Sequence, residues 1–64
     1  MIKTIKSVNP EAFDELVNAF IDSQWDASKG ISKVFATQTH YARATQEGEY
    51  DHYVAVIFYR EAHP

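Results

Sequence analysis

The side chains able to do chemistry outside any helix cluster in one stretch of sequence. They are His40, Tyr41 and Arg43, followed by His52, Tyr53, Tyr59 and Arg60, with Trp25 the single indole upstream. Aromatic rings beside a guanidinium and imidazoles can hold a planar anion: the rings stack on its flat face, and the cations supply charge-assisted hydrogen bonds. The alternative is that these are ordinary sheet-surface residues, amphipathic groups whose rings pack and whose tips reach water. Catalysis fits this set less well. A histidine beside Glu47, Glu49 or Asp51 needs a pocket that shifts its pKa, and 64 residues enclose little volume for one. The chain is therefore read as a non-enzyme. His40, His52 and Asp51 offer a metal only two imidazoles without fixed helical spacing, so no metal site is assigned. No cofactor is specified by any motif.

Composition narrows the field further. Nine Asp plus Glu against six Lys plus Arg give a net charge of -3, so no global positive field gathers phosphate backbones and generic nucleic-acid binding is disfavoured. There is no cysteine, which removes disulfides, thiolate zinc sites and a cysteine nucleophile, and which suits a reducing cytoplasm. The segment Met1 to Lys6 lacks the apolar core of a signal peptide, and no apolar run approaches the roughly 18 residues of a membrane span.

The elements that must position these side chains can be read from pattern. Residues 2 to 8 read as a short strand, with Lys3 and Lys6 suited to an edge. Asn9 is a good N-cap, Pro10 fits the first helical position, and Phe13, Leu16, Val17, Phe20 and Ile21 form an apolar stripe at helical spacing. Glu11, Asp14, Glu15, Asn18 and Asp22 occupy the other face. Residues 22 to 30 lose this period and read as a helix end followed by a loop that closes with Gly30, with Trp25 its one bulky apolar group. Ile31 to about Ala44 reads as a long strand, residues 45 to 49 as a glycine-containing connection, and Tyr50 to Arg60 as its hairpin partner. Glu61 to Pro64 reads as a tail.

The fold class expected for residues 1 to 64 is one α+β domain of order β-α-β-β, a three-stranded antiparallel sheet of spatial order 1-3-2 with one helix on one face. The last strand is apolar on both parities, as a central strand would be. One helix covers one face, so either Val54, Val56 and Phe58 or Tyr53, Ile57 and Tyr59 need another cover. A second copy of the chain is the simplest one, and a chain this short gains from it.

The arrangement of Met1-Ile2-Lys3, Phe13-Asp14-Glu15-Leu16-Val17-Asn18-Ala19-Phe20 and Tyr53-Val54-Ala55-Val56-Ile57-Phe58-Tyr59 resembles small sporulation-expressed proteins of Bacillus-type bacteria and their phage-encoded relatives. That resemblance covers about the whole chain, implies the same strand-helix-strand order and lends no reaction. More loosely, Asn9-Pro10 before the helix and Gln46-Glu47-Gly48 in the turn resemble dodecins, which implies an oligomer with ligands stacked between subunits. The function expected is a non-enzymatic homo-oligomer holding a small anionic, nucleotide-like ligand through His40, Tyr41, Arg43, Tyr53, Tyr59, Arg60 and Trp25. A phage accessory or anti-defence protein sequestering a signalling nucleotide suits that description. The competing expectation is a protein-interaction module, inhibitor or structural adaptor that uses the acidic helix or a strand edge.

Overall fold

A computed structural model describes residues 1 to 61. The tail expected at 61 to 64 therefore lies, beyond Glu61, outside the described residues. Strand β1 (Ile2–Ser7) leads into helix α1 (Pro10–Ser23), then two short strands, β2 (Trp25–Asp26) and β3 (Ile31–Ser32), and the long strands β4 (Val34–Ala42) and β5 (His52–Tyr59). The main sheet is antiparallel throughout and ordered β1-β5-β4. This is the expected 1-3-2 order once the two short strands are counted.

Helix α1 starts where Asn9 Oδ1 accepts from the Glu11 and Ala12 amides at 2.9 and 3.1 Å, with Pro10 at the first position, where a missing N–H costs nothing. Its stripe meets the sheet face formed by Tyr53, Ala55, Ile57 and Tyr59. Phe13 packs with Ile5, Ala55 and Ile57 in the core, and Val17, Phe20 and Ile21 are partly buried against them. The Phe13 ring lies 5.6 Å from Tyr53 and the Phe20 ring 5.1 Å from Tyr59. Leu16, expected in the stripe, is 50% exposed, whereas Phe13, Val17, Phe20 and Ile21 meet the core.

Two segments depart from the sequence reading. The helix ends at Ser23, within the expected 22 to 30, but the loop expected after it holds a strand, because Trp25 pairs with Ser32 and Asp26 with Ile31 across a turn closed at Gly30, whose φ of 68° suits a residue without Cβ. The long strand expected from Ile31 to Ala44 breaks at Lys33, whose amide donates to the Gln24 carbonyl, so β3 and β4 belong to different sheets. The hairpin connection is also longer than 45 to 49. Asp51 Oδ1 accepts from the Ala44 amide at 2.7 Å, outside any strand ladder, and Gly48 turns the chain with a φ of 89°.

Candidate functional site

The register decides which of the candidate side chains can act together. Tyr41 lies opposite Tyr53, His40 opposite Val54 and Ala42 opposite His52, so Tyr41 and Tyr53 share the helix-side face while His40 and His52 sit on the reverse face, diagonal to each other. Tyr59 and Arg60 are at the far end of β5. At about 3.3 Å per residue that end is roughly 20 Å from Tyr53. The candidate residues thus form two groups, and Trp25, on β2, is exposed and lines neither of the hollows described next.

At the hairpin end, the Tyr41 and Tyr53 rings meet edge-on at 4.9 Å beside the start of α1, and Thr39, His40, Pro10, Phe13 and Asp14 complete a shallow hollow of about 400 Å³. Tyr41 Oη donates to Asp51 Oδ2 at 3.3 Å. Its hydroxyl is held above the ordinary tyrosine range, first by desolvation against its neighbours and then by the charge of Asp51 and this hydrogen bond. Arg43 lies beyond the end of β4 and does not line the hollow. The charge in this hollow is that of Asp14, which repels an anion.

The opposite end has the other sign. There an open cleft of about 560 Å³ is lined by Lys29, Lys33 and Arg60, by Phe35 and Tyr59, and by the acidic residues Asp26 and Glu61. A β-bulge between Val34 and Ala36 leaves Phe35 without a partner on β5. Its ring, 61% exposed, lies 6.4 Å from Phe58 and under the Arg60 guanidinium at 5.9 Å. Lys29 is presented by the turn at 26 to 30, where Asp26 Oδ1 accepts from the Ser28 hydroxyl at 2.6 Å and the Ser28 amide at 3.0 Å. The Asp26 carboxyl is accordingly held below its usual range, chiefly by the Ser28 hydroxyl. The Arg60 amide donates to the Lys33 carbonyl, fixing the two cationic residues at one junction.

Sequence reading singled out Tyr59 and Arg60 here but not Lys29, Lys33 or Phe35. The lysines bracket Gly30, a turn signal that predicts they come back toward one another. The bulge that turns out Phe35 left no comparable signal. Among the described residues no group of three or more His, Asp or Glu is arranged to hold a metal ion, and no helix is long and apolar enough to cross a membrane. Comparison with family models, curated proteins and solved structures finds no match for this chain.

Proposed function

We propose that this chain is a self-associating binding protein that holds a small anionic, nucleotide-like molecule without transforming it. The observation that carries the reading is the gathering of Lys29, Lys33 and Arg60 at one cleft beside the exposed Phe35 ring, three cationic side chains against the two carboxylates of Asp26 and Glu61, in a chain whose net charge is -3. A local excess of cations in an acidic protein concentrates anions at one place instead of along the whole surface. The cleft volume falls within the roughly 300–1,000 Å³ of small-molecule sites. Arg60 already lies over Phe35, so a flat ring entering there gains stacking while its phosphate meets the lysines. Sequestration is the role such a site performs when no side chain in it is placed to attack or transfer.

Calorimetric titration with nucleoside mono-, di- and triphosphates and with inorganic phosphate tests the reading. Saturable binding of a nucleotide, lost in Arg60→Ala and kept in Arg43→Ala, is expected. Absence of binding by every nucleotide at millimolar concentration contradicts it.

A second reading keeps one observation in its favour. Leu16 is half exposed on a helix whose outer face carries Glu11, Asp14, Glu15 and Asp22, an apolar anchor within an acidic rim that a basic partner protein would fit. Loss of a protein partner in Leu16→Glu, with nucleotide binding absent, would select that reading.

A further inference from the structure

We infer that β4 is the interface between copies: two chains join edge to edge through antiparallel β4–β4 pairing, making one continuous six-stranded sheet. This rests on the self-association proposed above and specifies its surface.

The two edges of the sheet are built differently. β1 is six residues long and carries Lys3 and Lys6, charges that discourage a further strand. β4 runs for nine residues, Val-Phe-Ala-Thr-Gln-Thr-His-Tyr-Ala, without Lys, Arg, Asp, Glu, Pro or Gly. Its residues from Phe35 to Tyr41 are all exposed, and among the described residues no strand pairs with its outer edge. Past the bulge at Phe35, the uncharged edge from Ala36 to Ala42 presents a row of N–H and C=O groups that template another strand.

The occupant that fits is a second copy. A two-fold axis normal to the sheet through Gln38, the middle of β4, sets Thr37 against Thr39 and Ala36 against His40, each pair on one face and none of them like-charged. The same axis keeps the acidic helices apart, since α1 packs on β1 and β5 and leaves β4 between it and the partner. The chain exposes 5027 Å², against about 4,200 Å² for a compact monomer of its mass.

The chain has no cysteine, so single-cysteine variants report the pairing directly. Residues facing each other across antiparallel strands have Cα atoms about 4.5–5.5 Å apart, within the disulfide range. Gln38→Cys is expected to give mostly disulfide-linked dimer under mild oxidation, and Val56→Cys, on the reverse face of the central strand, mostly monomer. Gln38→Lys, which sets two like charges at the axis, should raise the dimer dissociation constant at least tenfold while circular dichroism stays that of the parent. Efficient cross-linking through Val56→Cys with none through Thr37→Cys, Gln38→Cys or Thr39→Cys would overturn the edge assignment and leave self-association standing. A parent protein that is monomeric at micromolar concentration would overturn both.

Discussion

Arginine distribution is where residue-scale chemistry separates the two ends of the sheet. Arg60 stands over an exposed ring beside two lysines, whereas Arg43 stands past the end of its strand near a carboxylate-bearing hollow. Arg60→Ala is therefore expected to weaken a phosphate-bearing ligand by about 1.5–3 kcal/mol, the scale of a hydrogen bond to a charged group, and Arg43→Ala to leave it unchanged. From sequence both arginines look equivalent, each among tyrosines on one hairpin. What separates them is the register, which no residue type announces. Tyr41 offers an independent check of the hairpin end. Its hydroxyl titrates above the unperturbed 10.0, so the neutral form is favoured in the fold. The associated stability is present below pH 10 and lost as pH rises through the folded-state value. Ultraviolet titration should show one tyrosine with a raised midpoint, and Asp51→Asn should bring that midpoint down; an unmoved midpoint would mean that Asp51 does not act on it.

Elements explain why the helix was legible and the segment after it was not. An N-cap, a proline and a stripe at i, i+3 and i+4 act within a few residues, so sequence alone places α1. β2 and β3 are two residues each, too short for any period, and exist because they pair with each other. The stripe itself is only partly a core. Phe13 is 7% exposed and closes on Ala55 and Ile57, both fully buried, while Leu16 is 50% exposed. Phe13→Ala should cost about 3–5 kcal/mol, near the limit a domain this small survives, and Leu16→Ala well under half of that. Phe20, partly buried between Tyr59 and the Lys3 ammonium at 5.8 Å, should fall between them. Chemical denaturation of the three variants orders them, and an equal cost for Phe13→Ala and Leu16→Ala would show that the helix is rotated from its described position.

Whole-molecule proportions are those of a chain that does not close on itself. Its radius of gyration is 13.9 Å, whereas about 11 Å is expected of a compact 64-residue domain. Its long axis is 47 Å against 20 and 16 Å for the others. Only five hydrophobic residues are buried among those described, and exposed apolar groups such as Ile2 and Phe35 remain at the sheet margins. The two-sided apolar pattern of Tyr53 to Tyr59 predicted a face in need of cover, yet within the single chain Val54 on that face is buried and Val56 and Phe58 are half-buried. Which part of the sheet stays open was not visible, because it depends on where one helix settles across three strands. Self-association is the claim that joins these proportions to the edge strand and to the binding reading. Light scattering on the purified chain at micromolar concentration tests it most directly. A monodisperse mass of at least twice 7.3 kDa is the predicted result, and a monodisperse 7.3 kDa species would contradict it.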